Sequence, residues 1–319
     1  MFSISRDDPL AKAEKRVAIV YTPENLTPFR EHISSGQLRA IRKSLRRAGW
    51  ASFVAEYDPS TIVRALHDGS PALVLNLAYG YRNRSRRVYQ TQADVASVLE
   101  STGLMLVGSC ARVQYATQDK IRCAQTLRAH GIHSPRCLYP GRPYSLPELA
   151  ICKPRYGACH RGVRLVDPKR ITEQELHNES AMLQEYVDGP EFTIGVLEVE
   201  GQPLALPPLE VIFKRGPHIM VSEMSDWDMR PANCFCAPLT RAARRVFRSL
   251  QMRDYARIDV RLHAGRICVL DVNSLPNLDP ERSYLPLAAK CAGLSFGRLI
   301  NLLVASALRR TATNARVTG

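Results

Sequence analysis

Asp259, Asp271 and Asn273 are the side chains whose types and spacing best suit metal and phosphate chemistry. They lie in a stretch from Tyr255 to Asn273 that reads as two strands turning at Ala264-Gly265. Along the first strand Ile258, Val260 and Leu262 alternate with Arg257, Asp259 and Arg261, the period of a half-buried strand. Asp271 and Asn273 flank a single residue, so an extended backbone projects both from one face. Pairing of the two strands brings Asp259 towards them, beside Arg257. Two carboxylates and an amide oxygen suit a hard cation such as Mg²⁺, which takes oxygen ligands and shares phosphate oxygens. Taken alone, the stretch fits equally well a hairpin whose polar residues face water.

Three further residues precede it in an informative order. Lys120 follows Gln118-Asp119 inside a helical segment, Lys153 sits on a short apolar strand ahead of a polar turn with two glycines, and Glu191 follows the turn Asp188-Gly189-Pro190. Two lysines neutralise phosphate charge, loop N–H groups cover the phosphates, and carboxylates hold a metal on the same oxygens. Either lysine alone reads as a surface residue; the ordered set is what points to a nucleotide. In the polar turn, Cys159-His160 could form a thiolate–imidazole nucleophile. Neighbouring side chains in a turn point apart and no third orienting group is evident, so a loop that contacts substrate or phosphate, or a plain structural loop, is the stronger reading.

The elements that must position these groups begin with strands over residues 16–21, 51–55 and 72–78. Between them lie a helix opened by Ser34-Ser35-Gly36, with Leu38, Ile41 and Leu45 at helical spacing up to Gly49, and a helix over 62–66. This β-α-β-α-β alternation predicts a parallel sheet flanked by helices. Residues 79–87 form a basic loop at the end where open α/β sheets place ligands. A helix over 92–101, a strand over 104–107 and a mostly helical stretch over 109–131 follow. Strands are then expected over 149–154, 163–166, 182–187 and 191–197, with a capped helix opening at Thr172. A proline-rich loop and an irregular segment over 214–237 lead to a helix over 241–252; the last helix, 295–309, closes the core.

At 319 residues the chain suits two or three sub-domains. Its 45% apolar and 7% aromatic content is that of a globular protein. No run approaches the roughly 18 apolar residues that span a bilayer, and the charged start of the chain is unlike a secretory signal. The net charge of +14 is scattered without interleaved aromatics or a nucleic-acid motif, which disfavours nucleic acid and suits an enzyme handling polyphosphates and carboxylates. Nine cysteines without metal-ligand spacing read as incidental thiols of a reduced, cytoplasmic protein.

With these residues assembled, the chain resembles the ATP-grasp superfamily and, within it, the D-alanine–D-alanine ligases. The resemblance runs from Val17 to Leu308. Its most specific stretches are Gly189-Pro-Glu-Phe-Thr193, Tyr255-Ala-Arg-Ile-Asp259, Val269-Leu-Asp-Val-Asn-Ser-Leu-Pro276 and Ala292-Gly-Leu-Ser-Phe296. Gly103-Leu-Met-Leu-Val-Gly-Ser109, Gln118-Asp-Lys120 and Glu31-His-Ile-Ser34 are weaker echoes. The resemblance implies an α/β ATP-grasp fold: an N-terminal parallel α/β domain over 16–112, then two α+β subdomains over 113–182 and 183–311 that sandwich ATP. A disordered leader over 1–15 and a disordered tail over 312–319 are expected outside it.

By the same resemblance Lys120 and Lys153 contact the nucleotide's phosphates. Gln184, Glu185 and Val187 form the adenine hinge, with glutamine where a glutamate is usual, and Glu191 holds the ribose. Asp259, Asp271 and Asn273 hold Mg²⁺, with Mn²⁺ as a substitute; aspartate replaces the commoner glutamate at Asp271. Arg257 stabilises the transferring phosphoryl group and the tetrahedral intermediate. The departures fall at the amino-acid sites. Arg30 stands at the position of the ammonium-binding glutamate unless a one-residue slip brings in Glu31. Tyr79-Gly80 replaces a histidine-glycine pair, Cys159-His160 a serine pair, Asp226-Trp227 a lysine-tyrosine pair, and Asn277 a glycine, while Ser283 is kept.

The implied activity is an ATP-dependent carboxylate–amine ligase that forms ADP and phosphate and acts on small amino-acid-like substrates. The altered acceptor positions suggest specialised-metabolite or dipeptide synthesis. A D-alanine–D-alanine ligase of peptidoglycan synthesis and a non-catalytic nucleotide-binding scaffold stand as alternatives, and the resemblance leaves a homodimer open.

Overall fold

The structure, a computed structural model, describes residues 16–28, 32–139, 146–157, 162–178, 180–214, 227–234 and 236–317. The leader expected over 1–15, Arg30, Glu31, Cys159, His160 and Asp226 lie outside the described residues.

The first unit is β1 (Arg16–Tyr21), α1 (Ser35–Arg47), β2 (Ala51–Glu56), α2 (Ile62–Gly69), β3 (Leu73–Asn76), β4 (Gly80–Asn83), β5 (Val88–Thr91), α3 (Gln92–Glu100) and β6 (Met105–Val107). Four of its strands form a parallel sheet in the order β2-β1-β3-β6. A parallel strand covered on both faces must be apolar throughout. Accordingly Val17 and Ile19 enter one core while Ala18 and Val20 enter another on the opposite face. Ser34 caps α1 by accepting from the Gln37 N–H at 3.0 Å, as its residue type suggested. The basic segment expected as a loop is instead the hairpin β4–β5. Tyr81 and Arg86 each donate to Asp58 at 2.9 Å, an anchor distant in sequence that the local run of arginines concealed.

The second unit contains α4 (Ala111–Gln118), α5 (Lys120–Ala129), β7 (Cys137–Leu138), β8 (Ala150–Pro154), β9 (Arg164–Val166), α6 (Glu173–Asn178) and β10 (Ala181–Glu185). Its antiparallel sheet, β7-β10-β8-β9, closes on a small core of Leu138, Ala150, Cys152 and Leu183. The third unit begins with β11 (Glu191–Val199), β12 (Gln202–Ala205), β13 (Leu209–Phe213) and β14 (Trp227–Pro231). It continues through α7 (Cys236–Ser249), β15 (Tyr255–His263), β16 (Arg266–Asn273), α8 (Tyr284–Cys291) and α9 (Phe296–Val317). Its sheet runs β14-β13-β11-β15-β16, with β12 pairing β11. Three strands therefore occupy what the sequence suggested was a proline-rich loop and an irregular segment. Proline is tolerated at a sheet edge, and Pro203 lies on β12, which pairs only with β11. Helix α9 continues to Val317, beyond residue 312, where a tail was expected. Among the described residues no single helix is long and apolar enough to cross a bilayer.

One core joins the first and third units: Val17, Ile19, Leu73 and Leu75 pack with Leu197, Tyr255, Leu285, Leu299 and Leu303. A polar bolt lies beside it. The fully buried Asp254 carboxylate accepts from the Gly108 N–H at 2.6 Å and from Arg310 Nη1, while Arg310 Nη2 donates to the Leu106 carbonyl at 2.7 Å. Arg310→Ala leaves that carboxylate buried without its cation, so it should cost about 3–5 kcal/mol. The check is urea unfolding, and an unchanged midpoint would remove the bolt from the account of domain docking.

Candidate active site

Strand β15 sorts its side chains by parity. Ala256, Ile258 and Val260 enter the core beneath α7, so Arg257, Asp259 and Arg261 face the other way, into a cavity of about 470 Å³. On β16, Asn273 pairs opposite Arg257 and Asp271 opposite Asp259, after which the register shifts so that Val260 meets Val269 and Leu270 is left over. This bulge lets Val269 and Val272, three positions apart, reach the same core. It also turns the Leu270 carbonyl towards Lys153, whose Nζ lies 3.4 Å away.

Asp259 is buried and fully hydrogen-bonded. Oδ1 accepts from Thr193 Oγ1 at 2.6 Å and Arg257 Nε at 3.0 Å; Oδ2 accepts from Arg257 Nη2 at 2.8 Å and Asn273 Nδ2 at 3.2 Å. Arg257 also lies over the Tyr284 ring, 5.5 Å from its centroid. Burial opposes ionisation of Asp271, but Lys120, Lys153 and Arg257 outweigh it and hold its carboxyl below the usual range. Burial pushes the Lys153 ammonium down, against the pull of Asp271. Lys120 opens α5 and donates to the Gly157 carbonyl at 2.7 Å.

At the other end of the cavity Gln184 is buried, with Nε2 3.4 Å from the Pro135 carbonyl. Glu185 is paired with Arg136 at 2.7 Å. Arg261 donates to the Val187 carbonyl at 2.7 Å and to Glu191 Oε2 at 2.9 Å. Asn277 and Ser283 line the opposite wall with Trp227. Asn277 Oδ1 accepts from Gln37 Nε2 at 3.2 Å and from the Asp279 N–H at 2.8 Å, which commits this side chain to the fold. The residues assigned above to catalysis, nucleotide, metal and substrate all border this one cavity except Glu31, which, like Arg30, Cys159, His160 and Asp226, is outside the described residues. Burial pushes the thiols of Cys123 and Cys268 up to about 12, as suits inert core cysteines.

Sequence reasoning missed Thr193, Arg261, Tyr284 and Gln37. Two of these become evident once the register of β11 on β15 is known, which puts Thr193 opposite Asp259 and Glu191 opposite Arg261. Tyr284 and Gln37 arrive from helices distant in sequence and carry no such mark.

Among the described residues no group of three or more His, Cys, Asp and Glu side chains forms a self-sufficient metal cage. Asp259, Asp271 and Asn273 nonetheless fit a hard divalent ion that shares its sphere with phosphate. Asp271 is kept ionised, Asn273 turns its amide nitrogen to Asp259 and so leaves its oxygen for a cation, and Mg²⁺ commonly takes one or two carboxylates plus phosphates. Asp259 already accepts four hydrogen bonds, so it can join only by exchanging one of them.

Residues 117–277 match the ATP-grasp domain family. An uncharacterized protein, y4sG, of Sinorhizobium fredii (strain NBRC 101917 / NGR234) is 29% identical over 266 residues, covering 75% of each chain. A D-alanine–D-alanine ligase of Aquifex aeolicus is 26% identical over 282 residues, 83% of this chain and 92% of the relative. The crystal structure of a D-alanine–D-alanine ligase from Bacillus anthracis complexed with ATP superposes with a TM-score of 0.69 at 18% identity, over 94% of this chain and 99% of the other.

Lys120 owes its place to Asp119, which caps α5 through the N–H groups of Ile121 and Arg122 and accepts from Arg155 Nε at 2.8 Å. Burial opposes the Asp119 charge, but Arg155, Arg122 and Tyr156 outweigh it and hold the carboxyl below its usual range. A carboxyl depressed in the fold stabilises fully above the unfolded value of about 4 and loses that contribution as pH falls through the folded value. Asp119→Ala should therefore cost about 2–4 kcal/mol at neutral pH, from the cap and the charged hydrogen bonds. The gap from the parent should narrow below about pH 3. Urea midpoints across that range test this, and a gap that does not depend on pH counts against the ionised cap.

Proposed function

Because the chain belongs to the ATP-grasp family, as a D-alanine–D-alanine ligase-like member, we propose that it is an ATP-dependent ligase joining a carboxylate to an amine through an acyl phosphate. One observation carries this reading. Lys120 and Lys153 of the second unit line a single cavity with Arg257, Asp271 and Asn273 of the third. Cations suited to phosphate and oxygen donors suited to a metal on it thereby share one chamber.

In this reading Lys120 and Lys153 hold the nucleotide's phosphates. Gln184, Glu185 and Val187 take the adenine, Val187 through its N–H because Arg261 occupies its carbonyl. Glu191 meets the ribose hydroxyls with Oε1, the oxygen that Arg261 leaves. Asp259, Asp271 and Asn273 would hold Mg²⁺, or Mn²⁺ in its place, which would supply further charge neutralisation on the phosphates. Arg257, oriented by its two bonds to Asp259, meets the charge that develops on the transferring phosphoryl group and then on the tetrahedral carbon's oxygen. Activation is needed because a carboxylate repels nucleophiles. Phosphorylation makes it an acyl donor with a good leaving group, which the amine displaces as phosphate.

The substrates proposed are small amino-acid-like molecules, met by Glu31, Asn277 and Ser283. Asn277 stands where related ligases have glycine, and its amide oxygen is tied to Gln37 and Asp279; the altered acceptor positions support specialised-metabolite or dipeptide synthesis. The names of the relatives favour a second reading, a D-alanine–D-alanine ligase. A nucleotide-binding scaffold is the weaker account, because it has no use for Asp271 held ionised among three cations.

An ADP-release screen over paired amino acids, with mass detection of the product, should show turnover only when an acid and an amine are both present. Turnover with D-alanine alone would select the second reading. Asp271→Ala should lower turnover by about a hundredfold or more, and Arg257→Ala should lower kcat by about 10²–10³. Unchanged turnover in Asp271→Ala refutes its role as a metal ligand.

A further inference from the structure

Trp227, Arg282, Ser283 and Tyr284 border two cavities at once: the reaction cavity and a second one of about 810 Å³. Only the first contains the charged groups assigned above. The second is lined by Met229, Leu287, Leu294 and Phe296 together with the charged Asp228, Glu281, Arg282 and Lys290. Trp227 opens the edge strand β14 and Tyr284 opens α8, and they meet through a hydrogen bond from Trp227 Nε1 to the Tyr284 hydroxyl at 3.0 Å. The two aromatic side chains thus make a partition between the reaction cavity and a second cavity of mixed polarity.

We propose that this partition sets the size of the amine-side substrate and that Tyr284 is, in addition, the positioning residue for Arg257; the proposal rests on the ligase reading above. The guanidinium of Arg257 lies 5.5 Å from the Tyr284 ring centroid while Nε and Nη2 bond Asp259 at 3.0 and 2.8 Å. An arginine stacked on an aromatic face keeps its in-plane N–H groups for acceptors. Asp259 fixes one edge of the guanidinium and the ring fixes its plane, so the remaining Nη1 edge has a set direction. The same ring is the back wall of the chamber. Its hydroxyl is held by Trp227, so it cannot swing aside without breaking that bond.

A side chain of one or two carbons fits in front of the wall. A bulky apolar one has to displace the wall to reach the second cavity. Discrimination by a rigid apolar wall is about ten- to two-hundredfold per methylene-scale difference. Removing the partition joins the two cavities and should admit larger side chains, the apolar ones against Met229, Leu287, Leu294 and Phe296.

The chain has two tryptophans, so a Trp50→Phe background leaves Trp227 as the reporter on the partition itself. With ATP and Mg²⁺ present, glycine and both enantiomers of alanine should shift Trp227 emission, and phenylalanine should not. Adding Tyr284→Leu should let phenylalanine shift it and should raise the kcat/KM ratio of phenylalanine to alanine about ten- to two-hundredfold. It should also lower kcat with every acceptor, about tenfold. Tyr284→Phe keeps the ring and loses the hydroxyl, so it should rescue kcat relative to Tyr284→Leu while still loosening acceptor size. Equal responses to alanine and phenylalanine in the background, or no response to any amino acid in any variant, overturn the size filter. An undiminished kcat in Tyr284→Leu overturns the positioning role. Emission changes as expected without ADP release in any variant would leave the filter standing and remove the ligase reading.

Discussion

A guanidinium and a carboxylate placed side by side on one strand, with little water to share, constrain everything around them. Arg257 and Asp259 are two positions apart on β15, so they share a face and bond within the strand. Removing one partner from such a pair leaves an uncompensated charge, which costs far more than the pair itself contributes. The fold completes the carboxylate instead. Thr193 reaches it from β11 and Asn273 from β16, so one side chain ties three neighbouring strands. The consequence for chemistry is orientation: Arg257 is aimed before any substrate arrives, which is the condition for stabilising charge that exists only in a transition state.

The cavity lies between two antiparallel sheets, and its charged groups, Arg282 apart, sit on strands or at a helix start rather than on free loops. Rigid elements hold such groups more accurately than loops do. The bulge at Leu270 lets one strand serve two masters, since it corrects the apolar parity towards α7 while presenting Asp271 and a carbonyl to Lys153. Asp119 does the corresponding work on the other wall by joining the start of α5 to the end of β8 through Arg155. At the nucleotide end the cross-strand pair of Glu191 and Arg261 is buried as a unit, with Tyr186 against the guanidinium.

The two ends of the cavity differ in what lines them. At one, Lys120, Lys153 and Arg257 gather around the Asp271 carboxylate, and charge dominates. At the other, Trp227 and Tyr284 meet, and in the proposed reading shape rather than charge decides there. Asn277 illustrates the difference: its amide oxygen is tied to Gln37 and Asp279, which fixes where its side chain stands on the cavity wall.

How much of this was legible in advance depended on whether the signal was local. The β-α-β alternation before residue 79, the Ser34 cap, the turn at Ala264-Gly265 and the order Lys120, Lys153, Glu191, Asp259, Asp271, Asn273 are properties of short stretches, and the sequence by itself determined them. Strands β12 to β14 and the hairpin β4–β5 were not legible, because prolines and arginines mask their period and their stability comes from partners elsewhere in the chain. Only the tertiary structure decided the bulge at Leu270, the bonding of Asp259 by Thr193, the pairing of Arg261 with Glu191 and the meeting of Trp227 with Tyr284. Each of these depends on strand register or on the approach of a distant helix. A one-residue change in register reverses every face of a strand, and nothing within a single strand's sequence records which neighbour it will meet.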